Sequence, residues 1–409
     1  MRGKSFLRPA VLGAGLAALL AFGSGCGQKS EAAGSSPVSE AGKAAETEAG
    51  REETAVSDAV EWSDMTVSGS MDLTYAEQFS VDYYDGGYAL IAIDSSGKYL
   101  TVPEGCPVPA GLPEDIVPVF QPLDHIYLAA TSAMDLFAGL DSVDRITLSG
   151  TDASGWYIEE ARQAMEAGQM VYAGKYSAPD YERILADGCD LAVESTMILH
   201  SPEVKEQLER LGIHVLVERS SYESHPLGRM EWIRLYGVLL GKDEEAEAVF
   251  QEKTAALKDL PEWESTGKTA AFFYITGNGS VNVRKSGDYV AKMIAMAGGT
   301  YVPADEEGEE NAISTTNMQL EAFYAAAKDA DVLIYNSAVD GELKNMDQLL
   351  EKSSLLADFK AVKEGNVWCT GKNLFQETLG LADMIRDLHL VLTEENPDPE
   401  SLTYLHHLP

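Results

Sequence analysis

From residue 126 onward the sequence alternates short apolar runs with longer amphipathic ones, and this alternation limits the fold more than any other feature. Residues 126–131, 146–149, 171–174, 191–194 and 214–218 read as strands. Helical patterns separate them: a short one ending at Leu140, then 155–167, one capped by Ser177 with Pro179 in its first turn, and one opened by Ser201-Pro202 and stopped by Gly212. Repeated β-α-β units of this length predict a parallel sheet covered on both faces. A second set follows, with strands at 269–276, 332–335 and 367–369 and helices at 289–297, 320–328 and 376–392. Between the sets, residues 226–240 are apolar on more than one face, which predicts a helix buried between other elements. An acidic helix follows it from Asp243 to near Leu260.

The expected class is therefore α/β: two Rossmann-like α/β lobes joined by one long linker helix, with a β-rich N-terminal extension. That extension, 61–120, carries strand-like runs at 73–75, 79–83, 88–93 and 99–102. Asp85-Gly86-Gly87 and Ser95-Ser96-Gly97 are hairpin signals between them, and a Pro-rich connector spans 103–122.

Ahead of this body, Arg2, Lys4 and Arg8 precede an apolar run over 10–22 that is too short to span a bilayer. Gly23-Ser24-Gly25-Cys26 then resembles a bacterial lipobox, in which the Cys receives diacylglycerol. Residues 27–60 are rich in Gly, Ala, Ser and Glu and cannot offset their own ordering entropy. The expected organisation is a signal peptide at 1–25, a lipid-anchored disordered tether at 26–60 and an N-terminal lobe at 61–225 (β-rich 61–120, α/β 121–225). A linker helix at 226–242 and a C-terminal lobe at 243–409 complete it. Hydrophobic residues make up 45% of the chain, enough for a large core. The formal net charge of −36 excludes a nucleic-acid partner, whose phosphates require clustered Lys and Arg. Beyond Cys26, the cysteines Cys106, Cys189 and Cys369 match no zinc spacing. Cys189 and Cys369 adjoin apolar runs and read as small buried side chains, while a Cys106–Cys189 disulfide stays open.

Enzyme signatures are missing. There is no Gly-x-Ser-x-Gly elbow and no His-Glu-x-x-His pair. Gly267-Lys268-Thr269 imitates the end of a phosphate loop, but Glu262 stands where its first Gly belongs. Gly277-x-Gly279 lacks the third Gly of a dinucleotide fingerprint, having Asn282 there. His406-His407 is the one close histidine pair, and it reads as a frayed terminus.

Three segments carry a family resemblance. They are Ser177-Ala178-Pro179-Asp180-Tyr181-Glu182-Arg183-Ile184-Leu185 with Cys189-Asp190-Leu191-Ala192-Val193, then Ser220 through Trp232, then Lys328-Asp329-Ala330-Asp331-Val332-Leu333-Ile334-Tyr335. Over roughly residues 120–395 the chain resembles the substrate-binding proteins of ABC importers for iron–siderophore complexes, haem and cobalamin. The resemblance implies a non-enzymatic, monomeric binding protein with no resident cofactor, lipid-anchored outside the cytoplasmic membrane. It would pass a metal chelate to permease subunits and, through them, to a cytoplasmic ATPase. Open α/β sheets bind ligands beyond the carboxyl ends of their strands. Ser132, Met134, Lys175, Tyr176, Glu194, Ser195, Ser221, Tyr222 and His225 lie at those ends in the first lobe. Asn278, Arg284, Asn336 and Phe375 do so in the second, and Arg229 begins the linker helix. Met134, His225, Tyr176 and Tyr222 are residue types that can serve as axial haem ligands, whereas a siderophore brings its own iron ligands. The resemblance also implies one exposed permease-docking carboxylate per lobe, Glu182 and Glu321. Two other readings stay open: a lipid-anchored surface hydrolase, and a carrier of free zinc or manganese.

The anchor is open to a direct test. Cys26→Ser should release the protein from membranes without altering ligand affinity, as read by fractionation and immunoblotting. Retention of the variant on membranes would require another anchor.

Overall fold

The computed structural model describes residues 60–258, 263–304, 315–337 and 341–409. The signal segment, Cys26 and the tether as far as residue 59 lie outside the described residues. The first sheet runs β1 (Val67–Ser70), β2 (Phe79–Tyr84), β3 (Ala89–Ile93), β4 (Gly97–Val102) and β5 (Ile116–Phe120), in that order. Neighbours β1 to β4 are antiparallel, and β5 joins β4 in parallel. Both hairpin signals are turns, with Gly86 and Gly87 at φ 84°. The run at 73–75 is not a strand, because the N–H groups of Thr74, Tyr75 and Ala76 donate to the Glu231 carboxylate at 2.8–3.2 Å instead of to a neighbouring strand. The Pro-rich connector contains β5, and its Pro118 is tolerated because β5 is an edge strand.

The second sheet comprises β6 (Ile126–Leu128), β7 (Ile146–Ser149), β8 (Val171–Tyr172), β11 (Leu191–Ser195) and β12 (His214–Glu218), in the order β12-β11-β6-β7-β8 and parallel throughout. A short antiparallel ribbon, β9 (Gly174–Lys175) with β10 (Ala178–Pro179), precedes β11. This ribbon takes up Ser177 and Pro179, so the helix expected there starts later, at Tyr181–Asp187. Asp180 caps it by accepting from Arg183 N at 3.1 Å.

The third sheet contains β13 (Thr269–Ile275), β14 (Val281–Arg284), β15 (Thr300–Val302), β16 (Thr315–Met318), β17 (Val332–Tyr335), β18 (Val367–Thr370) and β19 (Leu405–His407). Strands β13, β15, β17 and β18 are parallel, with β14, β16 and β19 added antiparallel. His406 and His407 therefore do not fray. Asp387, on the helix Leu381–Thr393, accepts from Thr403, Tyr404 and Leu405 N–H at 2.6–3.1 Å and fixes the approach to β19. Among the described residues no helix is long and apolar enough to cross a membrane. Cys106, Cys189 and Cys369 are all free thiols.

The run 226–240 forms the helix Pro226–Leu240, with His225 as N-cap, Pro226 in its first turn and Gly241 at φ 67° ending it. It is buried on every side, with Trp232, Ile233, Leu235 and Tyr236 all at 0% exposure. Each such side chain contributes about 1.5–3 kcal/mol by leaving water. Trp232 meets Phe79 of β2 at 5.1 Å between ring centres, and Tyr236 meets Phe137 at 5.0 Å. One apolar core holds Ile91, Val193, Trp232, Phe272 and Ile385, so all three sheets share it through this helix. The helix is not the sole tie between the α/β halves. Thr378 Oγ1 donates to the Ser132 carbonyl at 2.8 Å, Leu379 N to Asp135 Oδ2 at 2.6 Å, and Gln376 Nε2 to the Gly155 carbonyl at 2.7 Å.

Gly228 gives a test of this packing. A Cβ there would stand 2.8 Å from the Tyr75 carbonyl oxygen. Gly228→Ala should destabilise the protein by about 1–3 kcal/mol in thermal or urea unfolding. An intrinsic helix-propensity gain of ~1 kcal/mol opposes that loss. A stabilised variant would show that the Tyr75 segment does not press on the helix.

Candidate functional site

Parallel strands end on one side of their sheet. In the second sheet those ends include Leu128, Ser195 and Glu218; in the third they include Ile275, Tyr335 and Thr370. The central helix begins just after β12, so its first turn joins the same region. Glu218 closes β12 after the apolar run Val215-Leu216-Val217 and is 1% exposed. Its Oε1 accepts from Ser220 N at 2.8 Å and its Oε2 from Ser132 Oγ at 3.3 Å. Burial raises its pKa, against the hydrogen bond from Ser220 N and the positive charge of Arg229.

Arg229 is 4% exposed, with its guanidinium carbon 4.1 Å from the centre of the Tyr289 ring. From the third sheet, Arg284 at the end of β14 lies 5.7 Å from the same ring and 5.1 Å from the Phe375 ring. Asp288 holds Arg284 at 3.3 Å and also caps the helix Tyr289–Met296 by accepting from Val290 N at 2.9 Å. The Tyr301 hydroxyl donates to the Arg284 carbonyl at 2.6 Å. A run of cation–ring contacts, Arg229–Tyr289–Arg284–Phe375, thus links the central helix to the third sheet, with the Ser132–Glu218 pair of the second sheet close enough for the charge of Arg229 to act on it. Arg229 Nε, Ser220 Oγ and the Tyr236 hydroxyl are further buried polar atoms without a hydrogen-bond partner among the described residues. Guanidinium groups framed by aromatic rings suit a ligand with oxygen acceptors and a flat or apolar body.

His225 and Tyr222 stand beside this chain. His225 Nδ1 accepts from Leu227 N at 3.1 Å, while burial and the charge of Lys292 lower the imidazole pKa. The ring is therefore neutral with its hydrogen on Nε2, and it offers a donor, not a metal-binding lone pair. Tyr222 lies under the Arg219 guanidinium at 4.4 Å.

Other expected site residues fall elsewhere. Lys175 and Tyr176 sit at the turn of the β9–β10 ribbon, the first exposed and the second half-buried. Ser195 Oγ accepts from Met197 N at 3.3 Å and caps a short turn, with Ser221 in the turn after β12. Asn278 is exposed in the β13–β14 turn, where its Oδ1 accepts from Ser280 N at 3.1 Å. Met134 and Glu194, expected to face a ligand, are interior at 0% exposure, and Asn336 is buried to about the same degree as Arg229. Met134 turns into the main core from the first turn of its helix, Met134–Gly139. On β11 the strand period of two sends Leu191 and Val193 to that core and leaves Glu194 on the opposite face with Ala192. Glu182 and Glu321 are exposed in the first turns of Tyr181–Asp187 and Leu320–Ala327, without ion pairs among the described residues. Glu218, Asp288 and Tyr289 were not expected. A lone carboxylate ending His214-Val-Leu-Val-Glu218 and an Asp directly before a helical pattern were the signals for them. Among the described residues no group of three or more His, Cys, Asp or Glu could hold a metal ion.

Residues 126–374 match the family model described as periplasmic binding protein. An uncharacterized lipoprotein of Methanocaldococcus jannaschii is 24% identical over 355 residues, covering 79% of this chain and 82% of that protein. Among solved structures, an ABC-type Fe3+-hydroxamate transport system protein from Saccharomonospora viridis has a TM-score of 0.52 at 19% identity, covering 66% of this chain and 94% of its own. A periplasmic heme binding protein from Pseudomonas aeruginosa has a TM-score of 0.50 at 18% identity, covering 69% and 95%. These structures share the fold.

Glu194 yields a pH prediction. Burial lifts its carboxyl from the ordinary 4.5 to about 8, and neither oxygen has a hydrogen-bond partner among the described residues. Between those pH values the folded state holds a proton that the unfolded chain has lost. Stability from this group is thus full at low pH and falls as pH rises toward 8. Glu194→Gln should remove that loss and exceed the wild type by a few kcal/mol at pH 9 but not at pH 5, by urea unfolding. Parallel stability profiles would contradict the assignment.

Proposed function

Since the chain belongs to the periplasmic binding protein family, a family of solute-binding proteins, we propose that it captures a metal chelate between its two α/β sheets for an ABC importer. The ligand class is an iron–siderophore complex, haem or cobalamin. The observation that carries this reading is the chain of Arg229, Tyr289, Arg284 and Phe375 beyond the strand ends, where two guanidinium groups and two rings face one region. Within the class, the neutral His225 with its donor on Nε2 favours a chelate that brings its own metal ligands and offers oxygen acceptors, as a siderophore does. In this reading the protein acts as a monomer outside the cytoplasmic membrane, held there by a lipid on Cys26. Glu182 and Glu321 dock it on arginines of two permease subunits, which couple to a cytoplasmic ATPase. Their exposure in first helical turns supports that role.

Titration of the purified protein with a ferric hydroxamate, haem and cobalamin should quench its Trp fluorescence with at least one, and Arg284→Ala should weaken that binding about tenfold or more. Binding of none of the three would overturn the reading. Glu182→Ala with Glu321→Ala should leave affinity and Tm unchanged but depress uptake, since losing one partner of a desolvated pair costs about 2–5 kcal/mol. Unchanged uptake would remove the docking assignment.

A further inference from the structure

The N-terminal extension lies ahead of the span that matches the family model, yet its loop 72–78 grips the segment that leads into the central helix. We infer that this loop is the template for the cleft segment 219–225, with Tyr75 and Gln78 as positioning residues for His225 and Arg219. The inference deepens the binding reading and rests on it for its affinity arm.

Five consecutive backbone amides of the loop are spent on two buried carboxylates that flank His225 in sequence. Thr74, Tyr75 and Ala76 N donate to Glu231, while Glu77 N and Gln78 N donate to Glu223 at 2.8 and 3.1 Å. With the backbone pinned, the side chains reach the cleft segment. The Tyr75 ring stacks on His225 at 5.1 Å between centres and 22° between planes. Gln78 Oε1 accepts from Arg219 Nε and Nη2 at 3.4 and 3.3 Å, and Arg219 in turn covers Tyr222. Ser224 Oγ donates to the Glu77 carboxylate at 3.5 Å. His225 and Tyr222 are two of the candidate ligand contacts of this segment, the first stacked directly on Tyr75 and the second held through Arg219, which Gln78 fixes. A stack fixes the plane of the imidazole, and the Leu227 N–H fixes its rotation. Together they hold one tautomer with Nε2–H in a constant direction. The extension therefore takes part in choosing the ligand.

The test uses the full chain and three variants, Tyr75→Ala, Tyr75→Leu and Tyr75→Phe, with Gln78→Ala beside them. Side-chain 15N NMR of His225 should report a single Nε2–H tautomer in the wild type and in Tyr75→Phe. In Tyr75→Ala and Tyr75→Leu it should report mixed tautomers or a changed titration. Whichever of a ferric hydroxamate, haem or cobalamin the wild type binds should bind about 2- to 10-fold more weakly to Tyr75→Ala and Tyr75→Leu, the range expected for a lost aromatic pair. Tyr75→Phe should restore the affinity, and Gln78→Ala should weaken it through Arg219. A single unchanged tautomer in both Tyr75→Ala and Tyr75→Leu would overturn the inference. So would a disturbed His225 with unaltered affinity, or equal weakening in Tyr75→Phe. If the wild type binds none of the chelates, the functional reading fails, and the His225 tautomer still decides whether Tyr75 positions the ring.

Discussion

Glu231 is a fully buried carboxylate in the middle of an apolar helix, and the arrangement of the extension depends on how its charge is met. Arg234 Nη1 supplies one partner at 3.0 Å, and three amides of the extension supply the rest. Stripping partners from a buried ion costs about 3–5 kcal/mol, so the helix and the loop each need the other. Glu223 repeats the device with Glu77 N, Gln78 N and the Trp232 indole N–H, and Asp387 repeats it for the approach to β19. Both ends of the described chain are thus tied to interior helices by carboxylates that no apolar side chain could replace. Hydrophobic burial packs the helix, but directional bonds decide which segment lies against it.

The same helix explains where the site forms. It leaves β12 at the end of the second sheet and presents Arg229 toward Tyr289 of the third. Of the two guanidinium groups in the cluster, Arg284 is paired with Asp288 at 3.3 Å, whereas Arg229 keeps a buried Nε without a partner among the described residues. The segment 376–379, bonded across to Ser132, Asp135 and Gly155, limits the relative movement of the two halves more than a single helix would.

The α/β alternation, the buried helix and most strands of the two parallel sheets were legible because periodic apolar patterning directly reflects burial. The misreadings have a common cause. Residues 73–75 look like a strand because Leu, Thr and Tyr favour strands, but their amides are claimed by a carboxylate more than 150 residues away in sequence. Strands β16 and β19 give no clear pattern because short antiparallel additions at a sheet edge carry little apolar signal. In the candidate site, Arg284 and Phe375 are proposed from their position beyond strand ends and Arg229 from the start of the linker helix, whereas Tyr289 reads as an ordinary helical aromatic. Strand parity decided Glu194: one residue of offset separates the cleft end from the interior.

The grip of Glu231 on Thr74 joins residues 157 apart in the chain. A polypeptide emerging from its N-terminus can form the β2–β3–β4 meander early, since those contacts are local. It cannot seat the loop that precedes the meander until the central helix has also emerged. Such distant pairings carry a loop-closure cost and slow folding. The extension is therefore the first part of the folded body to be made and among the last to be locked, and its exposed edge strand β1 is of the kind that recruits other chains.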